Sequence, residues 1–155
     1  RPVSGVFVAG TDTGVGKTLA AAALLYALRA RHAKVVGMKP VAAGVVRVGQ
    51  AWASEDALAL RAASTIAVPP QLDNPVLLPD PVSPHLAAQR AGVRIDIGHI
   101  VRCYRRLAER ADSVVVEGAG GFLVPLGEGD TGGDLAKALA LPVVLVVGLR
   151  LGCLN

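Results

Sequence analysis

Five side chains carry the chemistry that a transferred phosphoryl group would need: Lys17, Thr18, Lys39, Asp56 and Glu117. Lys17 and Thr18 close the run Gly10 to Thr18, Gly-Thr-Asp-Thr-Gly-Val-Gly-Lys-Thr. An apolar stretch (Val6, Phe7, Val8, Ala9) precedes that run, and an alanine- and leucine-rich stretch follows it to His32. Strand, glycine-rich turn and helix in that order form an anion cradle. Successive backbone N–H groups converge on one anion, and the helix N-terminus adds about half a positive charge. Lys17 would reach the terminal phosphates of a nucleotide, and the Thr18 hydroxyl would ligate Mg²⁺. The strict phosphate loop has a glycine where this chain has Thr11, with Gly10 one place earlier. The loop is a variant.

Glu117 closes the apolar strand Ser113 to Val116 and precedes Gly118-Ala119-Gly120-Gly121. A carboxylate at a strand end is where nucleotide hydrolases keep an acid for Mg²⁺, and that reading is favoured over a simple turn cap. Lys39, in Met38-Lys39-Pro40-Val41, leaves the second strand at the same sheet edge. It either points at phosphate or an acidic substrate, or is a solvated strand-end lysine. Asp56 lies in the first turn of a helix after a mobile loop. On its own spacing it reads first as an acid favoured by the helix dipole, and second as another carboxylate for Mg²⁺.

The elements that must position these groups alternate. The apolar pattern predicts strands over 3–9, 35–38, 113–116 and 142–147, and helices over 17–31, 55–63, 97–110 and 136–140. A further helix begins at Ser83-Pro84, with Ser as N-cap and Pro in the first position. Residues 44–54 read as a glycine-containing loop, and 68–84, with prolines throughout, as irregular surface. Valine-rich strands between helices imply a sheet covered on both faces. The expected fold is α/β, a three-layer, doubly wound, mostly parallel sheet of the P-loop NTPase type, with its ligand crevice at the strand ends.

The chain has 155 residues, a single domain's worth, and 52% of them are hydrophobic, ample for a core. The net charge of +4 comes from arginine-rich usage; the lysines are Lys17, Lys34, Lys39 and Lys137. Arg102, Arg105, Arg106 and Arg110 line one side of a helix and read as a solvated face rather than a nucleic-acid stripe. Cys103 and Cys153 are isolated, with no secretory segment, which points to a reducing cytosol. No apolar run reaches membrane-spanning length. The chain opens without a methionine, and Leu151 to Asn155 enter a helix that is not present, so a domain incomplete at its C-terminus is expected.

Taken together, these segments resemble the dethiobiotin synthetase family, ATP-dependent carboxylases that close a ureido ring in biotin synthesis. The stretches that carry the resemblance are residues 10–18, Lys-Pro-Val-Ala at 39–42, Asp-Ala-Leu-Ala-Leu at 56–60 and Ser-Pro-His at 83–85. Val-Glu-Gly-Ala-Gly-Gly at 116–121, Leu-Pro-Val-Val-Leu-Val-Val-Gly at 141–148 and Leu-Gly-Cys-Leu-Asn at 151–155 continue it to the end of the chain. The extra residue between the loop glycines is also the family's.

The resemblance implies a reaction: 7,8-diaminopelargonate takes up CO₂ as a carbamate, ATP phosphorylates it, and the second amine closes the ring with release of phosphate. It implies catalytic roles for Lys17, Lys39 and Thr13, and a nucleotide site of Thr13, Gly14, Val15, Gly16, Lys17, Thr18 and Glu117. Mg²⁺ would be held by Thr18, Asp56 and Glu117. Diamine would meet Lys39 and Ala43, and its carboxylate would meet Gly152, Cys153, Leu154 and Asn155 across a homodimer interface. Ala43 replaces a serine of some members and Gly14 a glutamate of others, and the family's adenine-reading segments lie beyond Asn155. Two other classes compete. A cobyrinic acid diamide synthase-like ATPase usually carries a glutamine-hydrolysing domain with a nucleophilic cysteine. A partition or septum-positioning ATPase has an early loop lysine where this chain has Asp12-Thr13-Gly14.

Overall fold

The computed structural model describes residues 4–153. Four strands, β1 (Ser4–Gly10), β2 (Val35–Met38), β7 (Ser113–Glu117) and β8 (Val143–Val146), form one all-parallel sheet in the order β2-β7-β1-β8. Chain order and spatial order differ because β7 inserts between β1 and β2. The crevice of an open α/β sheet opens at such a point.

Side-chain alternation divides the core into two layers, since successive residues of a strand face opposite sides. Val8, Val35 and Val115 pack on one face against Ala21 and Leu25 of α1 (Lys17–Leu28) and Leu60 and Ala63 of α2 (Glu55–Ala63). Phe7, Ala9, Val36, Met38, Val114 and Val116 pack on the other. There they meet α4 (Pro84–Ala91), α5 (Ile97–Ala108) and α6 (Gly132–Leu139) through residues such as Ala87, Ile100, Leu107 and Leu135. The three-layer, doubly wound, parallel fold expected from the sequence is the one observed.

Several local readings need correction. Residues 44–54 contain an antiparallel hairpin of β4 (Val46–Val48) and β5 (Ala51–Ala53), with Arg47 opposite Trp52. The proline-rich stretch is not irregular. It holds the single turn α3 (Pro70–Asp73) and β6 (Val76–Leu78), which pairs in parallel with β3 (Val41–Ala43). Proline at the first helical position and a three-residue strand are both compatible with that density of prolines. Ser83 precedes α4, but its hydroxyl meets His85 Nδ1 at 3.0 Å instead of capping a backbone N–H. α6 starts at Gly132, four residues earlier than expected, because Thr131 and Asp134 form a reciprocal capping box. α1 ends at Leu28 rather than 31. α5 ends at Ala108; its Arg102, Arg105 and Arg106 are exposed while Ile100, Cys103 and Leu107 are buried, a solvated face as expected. No helix among the described residues is long and apolar enough to cross a membrane.

Candidate phosphate and metal site

The phosphate loop links β1 to α1. Gly16 caps α1 with φ 99°, in the left-handed region that glycine reaches without strain, and Gly14 has φ 74°. Gly10 serves a different need. A Cβ there would lie 2.8 Å from Lys17 Cδ and 2.9 Å from Val15 Cγ2, so the loop closes directly over the lysine stem. The additional residue Thr11 is tied to the strand beside it: its N–H donates to Val146 O at 3.0 Å, and Gly148 N–H donates to its hydroxyl at 3.1 Å. The variant spacing therefore joins the loop to the end of β8. Asp12 pairs with Arg150 and accepts from Thr13 N–H at 2.7 Å.

Lys17 is buried and donates to Asp12 O at 2.7 Å. Burial and then the Lys39 ammonium push its pKa below the ordinary lysine value, against the opposing pull of Glu117 and Asp56. An anion in the loop would face a charge that the protein alone neutralises incompletely.

Parallel register brings the second cluster together. Met38 of β2 is the partner of Val116 on β7, so the next residues, Lys39 just past β2 and Glu117 at the end of β7, lie side by side. Lys39 Nζ lies 2.8 Å from Glu117 Oε1 and 2.7 Å from Asp56 Oδ2, and also donates to Gly118 O at 3.2 Å. Lys39 and Glu117 are both buried. Thr18, the second residue of α1, puts its hydroxyl 2.9 Å from Glu117 Oε1 and 3.0 Å from Asp56 Oδ1. Ser54 caps α2 through Ala57 N–H and thereby presents Asp56 in the first turn. Burial raises the Asp56 carboxyl, but the Lys39 charge and hydrogen bonds from Lys39 and Thr18 outweigh it and hold the group below its ordinary value.

Two carboxylates and a hydroxyl thus converge beside a phosphate loop. Glu117 Oε2 is buried with no hydrogen-bond partner among the described residues, which is costly unless something positive completes it. Hard oxygen donors of this kind suit a small divalent cation that keeps water and phosphate ligands, and Thr18, Asp56 and Glu117 could hold one.

The structure gathers Lys17, Thr18, Lys39, Asp56 and Glu117 at one sheet edge. Thr13 and Gly14 lie exposed on the loop, and the Thr13 hydroxyl faces Gly120 in the turn after β7. Val15 packs against Gly10 and Gly148. Ala43, at the end of β3, lines a cleft with Val45, Ser54, Glu55, Asp56 and Pro79, so it belongs to the same edge. Gly152 and Cys153 do not join that cluster. They line a separate cleft with Gly10, Thr11, Leu123 and Gly148, in a turn closed by Cys153 N–H to Arg150 O. Leu154 and Asn155 fall outside the described residues.

Sequence reasoning missed the supports of Lys39. Its N–H donates to Asp73 O and its carbonyl accepts from Asn74 Nδ2, each at 2.7 Å. The only trace in the sequence is an Asp-Asn-Pro turn signal at 73–75, which announces a bend but not what it holds.

A family model described as "AAA domain" matches residues 4–155. Among curated proteins, the chain is 49% identical over 153 residues to the ATP-dependent dethiobiotin synthetase BioD of Janthinobacterium sp. (strain Marseille). It is 52% identical over 149 residues to the protein of the same name from Xanthomonas oryzae pv. oryzae (strain PXO99A). Each match covers 96% of this chain and 65% or 66% of the relative, so the chain spans just under two thirds of their length. The resemblance read from the motifs is the one these relatives bear.

Proposed function

Because this chain belongs to the AAA domain family, we propose that it is the phosphate-binding part, a single domain, of an ATP-dependent dethiobiotin synthetase. The observation that carries the reading is the meeting of Lys39, Asp56, Glu117 and Thr18 around one point beside Lys17. A phosphate-binding loop alone would serve any nucleotide switch. A buried lysine delivered to the same point from the end of β2, two strands away from β1, suits the transfer of a phosphoryl group to an anionic acceptor.

In this mechanism, one amine of 7,8-diaminopelargonate adds to CO₂ and loses a proton to give a carbamate. A carbamate oxygen then bonds to the γ-phosphorus of ATP as the bond to ADP breaks. The second amine attacks the carbonyl carbon of the mixed anhydride, phosphate leaves with the C–O bond pair, and the ring closes with loss of a proton. The loop from Thr13 to Gly16 cradles the phosphates through its N–H groups, and Lys17 follows charge as it moves between them. Lys39 neutralises the carbamate and the phosphoryl together, while Thr13 lines the space between them. Thr18, Asp56 and Glu117 would hold Mg²⁺, which would supply charge neutralisation for the transferred phosphoryl group. Little covalent work falls to the protein; it aligns nucleophiles and offsets charge.

The diamine sits near Ala43, with its carboxylate on the N–H groups of 152–155 of a second copy, in a cytosolic homodimer. Phosphate release by the complete protein, with the product identified by mass, tests the proposal. Release that requires both diamine and bicarbonate is the expected result. ATP turnover stimulated by DNA and indifferent to diamine would overturn it.

A further inference from the structure

Asp56 and Arg61 both belong to α2, but only Asp56 faces the phosphate loop. Arg61 reaches away to Asp73, at the end of α3. Its Nε donates to Oδ2 at 2.7 Å and its Nη2 to Oδ1 at 2.6 Å, a two-pronged contact to a carboxylate that is 2% exposed. Asp73 in turn accepts the Lys39 N–H on its carbonyl, and Asn74 donates to the Lys39 carbonyl. Lys39 Nζ then returns to Asp56 Oδ2. The contacts close a ring: Lys39, Asp56, one and a half turns of α2, Arg61, Asp73 and back to Lys39.

We infer that Arg61 and Asp73 are positioning residues that set the separation between the Lys39 ammonium and the Asp56 carboxylate. Neither touches the phosphate loop or Glu117. The lysine and the carboxylate come from different layers, one from the end of the sheet and the other from a helix packed on it. The C-terminal end of α2 is held to β2 by Gly37 N–H, which donates to the Ser64 hydroxyl at 2.9 Å. The fork adds a tie to the Asp73–Asn74 turn that holds the Lys39 backbone; without it, rotation or tilt of α2 about its end would change the spacing. The planar fork of arginine resists such motion because both prongs must stay in register with the carboxylate, and lysine offers a point charge instead.

The inference rests on the proposed phosphoryl-transfer reading, so its test includes an arm independent of turnover. Arg61→Met, Arg61→Lys and Asp73→Asn are made in the complete protein. ATP-dependent Mn²⁺ affinity is followed by paramagnetic resonance, and diamine-dependent phosphate release is measured alongside. Outer supports of metal ligands typically change affinity about 10- to 100-fold. A loss of Mn²⁺ affinity of about tenfold is expected for Arg61→Met. A fall in kcat of similar size is expected at saturating metal and nucleotide, since misplacement of the lysine against the carboxylate acts on the transition state. Arg61→Lys, which keeps the charge, falls with Arg61→Met rather than rescuing it, and it remains informative should Arg61→Met not fold. In an Asp56→Ala background, Arg61→Met has no further effect on Mn²⁺ affinity.

A melting temperature lowered by Arg61→Met with Mn²⁺ affinity and kcat unchanged would overturn the inference. Effects that multiply with Asp56→Ala would overturn it as well. If the unaltered protein releases no phosphate with diamine, the synthetase reading fails, and the Mn²⁺ arm still decides whether the fork positions Asp56.

Discussion

Lys39 and Glu117 stand one residue past a register pair of adjacent parallel strands, and their charged atoms are 2.8 Å apart in the protein interior. The sheet's hydrogen bonds, rather than flexible loops, therefore fix the centre of the candidate site. The pair also has a cost if broken. Glu117→Gln keeps the shape but leaves the buried ammonium facing one carboxylate, the partly exposed Asp56, beside the neutral Gly118 carbonyl. A loss of about 1.5–3 kcal/mol in urea unfolding is expected, the range for hydrogen bonds to charged groups. Lys39→Met combined with Glu117→Gln should recover part of that loss.

Lys17→Ala removes the one side chain of the phosphate loop that is both buried and cationic. In the complete protein, diamine-dependent phosphate release is expected to fall by about 100-fold or more, the scale for losing a preorganised charge. Unchanged turnover would mean that phosphate is bound elsewhere.

The protonation of Lys17 makes nucleotide binding sensitive to alkaline pH. Burial, then the Lys39 charge, holds the free group below its ordinary value of 10.5. A bound polyphosphate favours the ammonium and moves the value back up. Between the lowered and the restored values, binding must therefore take up a proton, and affinity must decline as pH rises through that window. Calorimetry in two buffers of different ionisation enthalpy should show uptake at alkaline pH and little at pH 7. Lys17→Met should abolish the difference.

Gly10→Ala tests the close passage of the loop over Lys17. The added methyl would meet Lys17 and Val15 carbons at 2.8 and 2.9 Å, so the lysine stem must shift. Overpacking of this kind costs about 1–3 kcal/mol, and nucleotide affinity measured by calorimetry should drop with it. Gly127→Ala, in the loop before α6 with no atom within 4 Å of its new methyl and no left-handed backbone to strain, is the control for glycine loss itself.

Much of the site was legible because its parts sit at element ends that apolar patterning reveals. Ser113 to Val116 reads as a buried strand, so Glu117 is placed at its end without further knowledge. Lys39 follows from Val35 to Met38 in the same way. That the two residues touch was not legible, because it depends on β7 inserting between β1 and β2. The β3–β6 pair escaped notice because each strand has three residues, too short for periodicity, and prolines surround one of them. The Arg61–Asp73 fork escaped for another reason. Both residues have the look of ordinary surface charges, and only the path of α3 buries the aspartate.

The order β2-β7-β1-β8 gives the strands unequal access to solvent exchange. β7 is hydrogen-bonded along both edges and all five of its residues are buried, whereas β4 and β5 pair with each other in a separate two-stranded sheet and are largely exposed. Opening free energies follow such differences, so the β7 amides should exchange last and those of the β4–β5 hairpin and the phosphate loop early. Glu117 would then belong to the slowest unit of the molecule while Asp56, Lys17 and their surroundings open around it. Disassembly of the centre would run from the rim towards a fixed carboxylate, leaving one anchoring oxygen in place in states where the rest is already loose.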